Sequence, residues 1–99
     1  DGEFKITSPL VLTDNTPIDM DNNAILTFTL TNASDSAITI QSTDQMLFQF
    51  NVIKSTNGIG TGLKIIDSNF NKINIMNIQN FETCILLTNT TAFWQKIIY

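Results

Sequence analysis

Apolar residues two positions apart recur along the chain, and the recurrence has a long period as well as a short one. Thr61-Gly62-Leu63-Lys64-Ile65-Ile66-Asp67-Ser68 and Thr83-Cys84-Ile85-Leu86-Leu87-Thr88-Asn89-Thr90 match position for position at an offset of 22. An earlier copy, Ser36-Ala37-Ile38-Thr39-Ile40-Gln41-Ser42-Thr43, lies 25 residues before the first of these, and a shorter one, Thr16-Pro17-Ile18-Asp19-Met20-Asp21, lies 20 before that. The inward pairs of this ladder are then Ile18/Met20, Ile38/Ile40, Leu63/Ile65 and Ile85/Leu87. Alternation with period two marks a half-buried strand. Self-similarity every 20 to 25 residues marks stacked repeats, each burying its apolar face against its neighbours.

A second ladder threads between the first. Leu26-Thr27-Phe28, Phe48-Gln49-Phe50, Ile73-Asn74-Ile75 and Ile97-Ile98-Tyr99 superpose at offsets of 22, 25 and 24. This predicts Phe28, Phe50 and Ile75 in one buried column and Ile38, Leu63 and Ile85 in another. Insertions between rungs fall in turn-rich stretches, Thr56-Asn57-Gly58-Ile59-Gly60 and the region of Ala92-Phe93-Trp94, as expected where loops bulge outward while strands keep register. At the N-terminus, Phe4/Ile6 and Leu10/Leu12 predict two short strands with a corner at Pro9, which lacks a ladder donor. Ser36, Thr61 and Thr83 align at the start of the repeated strand, and Ser42, Asp67 and Asn89 at its end. Helical periodicity is absent over any useful length.

Composition agrees with strands and narrows the chemistry. Of 99 residues, 42% are apolar and only 14% charged, against roughly a quarter charged in an average soluble domain. One domain, residues 1–99, accommodates that length. A net charge of −4, with no His, argues against a nucleic-acid surface, which needs clustered cations. The single Cys84, aligned with Ala37 and Gly62, reads as a small spacer in a strand, and no metal cluster or cofactor site is expected. No apolar run is long enough for a membrane-spanning helix. The chain opens without Met and stops within a strand at Tyr99, which predicts a segment of a longer protein.

Gly2-Glu3-Phe4-Lys5-Ile6-Thr7-Ser8-Pro9-Leu10-Val11-Leu12 is similar to the segment that opens right-handed parallel β-helices of the pectate-lyase-like group. Gly60-Thr61-Gly62-Leu63-Lys64-Ile65 and Ile73-Asn74-Ile75-Met76-Asn77-Ile78 resemble later coils of that fold. The resemblance implies an all-β solenoid of about four coils. It also implies kinship with bacteriophage tailspikes, usually homotrimers in the virion tail that bind and often cleave cell-surface polysaccharide. The expected function is a structural and recognition segment of such a protein; the alternative is a fragment of a secreted polysaccharide lyase or glycoside hydrolase.

Glycoside cleavage needs two carboxylates flanking the bond. Asp19, Asp21, Asp44, Asp67 and Glu82 are available, with Asp67 and Glu82 the candidates for a pair at the ends of adjacent rungs. The calcium-and-base chemistry of a lyase has only Lys64, with no acidic cluster around it. Carbohydrate binding is better provided for. Gln49, Asn51 and Asn74 offer outward amides suited to sugar hydroxyls, and Trp94 with Phe93 offers a stacking face. The apolar residues Ile53, Ile66, Met76, Leu86 and Ile98 are read as outward-facing, a lateral surface for self-association.

Overall fold

A computed structural model describes residues 2–13, 18–19, 24–41, 47–68, 72–88 and 96–98. Among them every regular element is a strand: β1 (Gly2–Ile6), β2 (Leu10–Leu12), β3 (Ile18–Asp19), β4 (Ala24–Phe28), β5 (Ser36–Gln41), β6 (Leu47–Ser55), β7 (Thr61–Ile66), β8 (Lys72–Gln79), β9 (Thr83–Thr88) and β10 (Lys96–Ile98). The richness in β-branched Ile and Thr suits these residues to a pleated surface. The strands form two sheets, one in the order β1-β4-β6-β8-β10 with β3 also on β6, the other in the order β2-β5-β7-β9. All the pairings are parallel.

The four-stranded sheet carries the first ladder. Its columns run Leu10, Ile38, Leu63, Ile85 and Leu12, Ile40, Ile65, Leu87. The expected register therefore holds from Ile38 to Leu87, but the N-terminal rung is Leu10/Leu12, not Ile18/Met20. Ile18 pairs instead with Phe48 of the larger sheet, and Met20 lies outside the described residues. The corner at Pro9 holds β1 and β2 three residues apart, so β2 takes the first place in this sheet and leaves the next strand to the other.

A second correction follows from the length of β6 and β8. Their N-terminal halves pair Phe48 with Ile73 and Phe50 with Ile75, and β10 extends this row through Ile97 on Ile73. Their C-terminal halves form a separate row, Phe4, Leu26, Ile53, Ile78. Leu26 and Phe28 thus lie beside Ile53 and Ser55, not Phe48 and Phe50. Between the halves the buried positions change parity, from Phe48 and Phe50 to Ile53 and Ser55, and from Ile73 and Ile75 to Ile78. Asn51 sits at that switch, and its Nδ2 donates to the Ala24 carbonyl at 2.8 Å, satisfying an acceptor at the start of β4. Ile53, expected outward, is fully buried for the same reason.

Both sheets contribute to one apolar core, which includes Phe28, Phe48, Ile38, Ile40, Leu63, Ile65 and Ile73, each without solvent exposure. Burial of each such side chain contributes about 1.5–3 kcal/mol of transfer free energy. Ile85, on the last strand of its sheet, is only partly buried.

Corners are held rung to rung by amides and backbone. Asn57 Nδ2 donates to the Leu30 carbonyl at 2.7 Å and Asn80 Nδ2 to the Ser55 carbonyl at 2.8 Å. Thr61 N donates to Asp35 O at 3.0 Å, and Thr83 N to Gly60 O at 3.2 Å. Gly60, at φ 81°, is required twice over: the backbone is left-handed, and a Cβ would stand 2.6 Å from Leu30 Cδ1 and 2.7 Å from Asp35 O. The spacer column is as expected, with Ala37 and Gly62 buried and Cys84 half-buried on Gly62's other side.

Candidate functional site

Alternation along β1 puts Glu3 and Lys5 on the side opposite Phe4 and Ile6. Parallel pairing then lines up Lys5 with Thr27 of β4 and Thr27 with Lys54 of β6. Across three neighbouring strands, each about 4.8 Å from the next, the row reads cation, hydroxyl, cation. These residues, with Glu3, Thr29, Ser55 and Thr56, line an open groove of about 620 Å³.

Thr27 is buried in this groove and donates its hydroxyl to Glu3 Oε2 at 2.6 Å. That hydrogen bond is the main reason the Glu3 carboxyl titrates below its ordinary value, since it favours the ionised form. Desolvation opposes the shift, and the fields of Lys54 and then Lys5 reinforce it. One strand position further on, Thr29 and Thr56 share a hydroxyl–hydroxyl bond of 2.9 Å. Ser55 is turned into the corner, its Oγ donating to Asn57 Oδ1 at 2.9 Å and accepting from the backbone N–H groups of Asn57 and Gly58. The groove therefore presents a fixed carboxylate, two ammonium groups and a line of hydroxyls, a surface of donors and acceptors suited to a hydroxyl-rich ligand. Among the described residues Glu3 is its only carboxylate, so it does not hold the acid pair that glycoside cleavage requires.

The residues singled out by sequence fall in different places. Gln49 and Asn74 are register partners on β6 and β8, both half-buried, and the Asn74 Oδ1 is buried with no hydrogen-bond partner. Asn51 is committed to the Ala24 carbonyl, so its amide serves the corner before any ligand. Trp94, Phe93, Asp21 and Asp44 lie outside the described residues, and Asp19 is placed only as the β3 partner of Gln49.

Asp67 follows the C-terminal end of β7, exposed and at φ 53°, whereas Glu82 precedes the N-terminal end of β9. Because β7 and β9 run parallel with Thr61 on Thr83, the two acids stand at opposite ends of the pair, about 20 Å apart along the strands. The register does not bring them together. Lys64 lies between Thr39 and Leu86, and the described residues contain no cluster of acids, His or Cys able to hold a metal.

Sequence reading missed the groove. Its outward residues on β1 were legible from alternation, but Lys54 joins Thr27 through an offset of 27, while the repeat matched Thr27 to Gln49 at 22. No protein-family model, curated protein or solved structure matches the chain.

Proposed function

We propose that the chain is a right-handed parallel β-helix of four coils, and that it is a structural and recognition segment of a tailspike-like protein that binds cell-surface polysaccharide outside the cell or on a virion tail. The rotation of the strands among the three rows supports the winding. In chain order the coils are β1, β2, β3; then β4, β5 and the first half of β6; then the second half of β6, β7 and the first half of β8; then the second half of β8, β9 and β10. Parallel crossovers of this kind are right-handed in nearly all proteins.

The observation that carries the recognition reading is the groove of Glu3, Lys5, Thr27 and Lys54, polar and open on the outside of the stack. Among the described residues its lining holds one carboxylate, Glu3, which favours binding over cleavage. Calorimetry against a panel of neutral and acidic bacterial surface polysaccharides tests it. Saturable binding is expected for at least one, weakened roughly tenfold by Lys54→Ala, the cost of losing one hydrogen bond to a charged group. Binding unaffected by Lys54→Ala but lost in Gln49→Ala would move the site to the Gln49/Asn74 row. Absence of binding across the panel at millimolar sugar would overturn the reading.

A further inference from the structure

We infer that Asn57 is a site of spontaneous deamidation that the corner contacts hold shut in the folded chain, so that conversion there follows loss of the fold and then opposes its recovery. Asn57-Gly58 is the one Asn-Gly pair in the sequence. In such a pair the glycine nitrogen can attack the asparagine carboxamide, because no side chain on the second residue obstructs the approach. The bond from Gly58 N to Asn57 Cγ forms and the bond from Cγ to Nδ2 breaks. Ammonia leaves with the proton from Gly58 N. Water then opens the five-membered succinimide, giving aspartate or, through the other carbonyl, isoaspartate with one more atom in the backbone. The corner keeps this labile pair for a conformational reason: Gly58 sits at φ 76°, where a side chain is disfavoured.

The groups of the first step are engaged elsewhere in the fold. The Gly58 N–H, which must lose its proton, donates to Ser55 Oγ at 3.1 Å, and the Asn57 N–H does the same at 3.1 Å. The Ser55 hydroxyl donates in turn to Asn57 Oδ1 at 2.9 Å, while Asn57 Nδ2 donates to the Leu30 carbonyl at 2.7 Å. The carboxamide is thus turned back onto Ser55 and the corner of the rung before. From the corner of the rung after, Asn80 Nδ2 holds the Ser55 carbonyl at 2.8 Å. Ser55 is buried but Asn57 is exposed, so these contacts, and not exclusion of water, close the site. The tie to Leu30 accounts for the second half of the inference. Conversion replaces the donor Nδ2 by a carboxylate oxygen, which only accepts, and sets it against the Leu30 carbonyl, which also only accepts. A rung-to-rung bond is lost and two acceptors are left facing each other.

Peptide mass spectrometry, which reads the mass gain from amide to acid, tests this on the whole chain kept at mildly alkaline pH in native buffer and in unfolding urea. Conversion at Asn57 should be roughly ten- to a hundredfold slower in native buffer, the factor expected when two or three hydrogen bonds must break first. Ser55→Ala removes the hydroxyl and leaves a small side chain in its buried place. Its rate in native buffer should rise toward the urea rate, whereas in urea the two chains should convert alike, and circular dichroism checks that the strands remain. Should that variant not fold, a series of urea concentrations on the unaltered chain takes its place, and the rate should climb with the unfolded fraction. Asn57→Asp, one of the two products, should unfold at lower urea than the unaltered chain. Equal rates in native buffer and urea, a rate in folded Ser55→Ala no faster than in the unaltered chain, a rate indifferent to urea across the series, or an unchanged midpoint for Asn57→Asp would overturn the proposal.

Discussion

Thr27 shows how much one side chain can decide when its strand neighbours are charged. It is buried between two lysine-bearing strands, and its hydroxyl has one carboxylate to serve. Because the bond favours ionised Glu3, the folded-state pKa lies below the unfolded one. The contribution to stability is therefore present above the unfolded pKa and is lost as pH falls through the folded one. Thr27→Val keeps the shape and removes the donor. Glu3 followed by carbon-detected NMR titration should then move its midpoint upward toward an ordinary glutamate, by less than the full shift because Lys54 and Lys5 remain. An unchanged midpoint would show that the lysines alone set it.

At the scale of the strand, the decisive property is which side of β7 a residue occupies. Leu63 is fully buried between Ile38 and Ile85, whereas its neighbour Lys64 is half-buried on the other side between Thr39 and Leu86. Leu63→Asp places an unpaired carboxylate in the core and should cost more than 4 kcal/mol, enough to unfold a domain of ordinary stability. Lys64→Asp should change stability by about 0.5 kcal/mol or less. Urea denaturation of the two variants separates them, and similar midpoints would mean that β7 is registered one residue out.

For the molecule as a whole, nearly everything that holds it together is distant in sequence. The ladder partners are 22 to 30 residues apart, from Gly2 on Ala24 to Ile18 on Phe48. Loops of that length must close before any ladder contact is gained, and parallel pairing offers no hairpin from which to start. Refolding of the dilute chain, followed by far-ultraviolet circular dichroism after a denaturant jump, should take milliseconds to seconds. Microsecond refolding would imply local structure that these registers do not contain.

Several features were settled by the chain's own pattern. Period-two alternation in Ser36–Gln41, Thr61–Ile66 and Thr83–Thr88, repeated at 25 and 22, led to three parallel strands in the register observed. Pro9 and Gly60 were legible as corners because a missing donor and an open left-handed region are properties of the residue itself. Tertiary structure alone decided which of several similar rungs meets which. Apolar-x-apolar occurs at Phe4/Ile6, Leu10/Leu12, Leu26/Phe28 and Phe48/Phe50, and as strand patterns these are interchangeable. What distinguishes them is the parity switch near Asn51, which lets β6 serve two rows and moves β4 from Phe48 to Ile53. That switch also sets Lys54 beside Thr27 and so makes the groove. It shows in which side chains are buried on either side of Asn51, and alternation along the strand carries no record of which partner each half will meet.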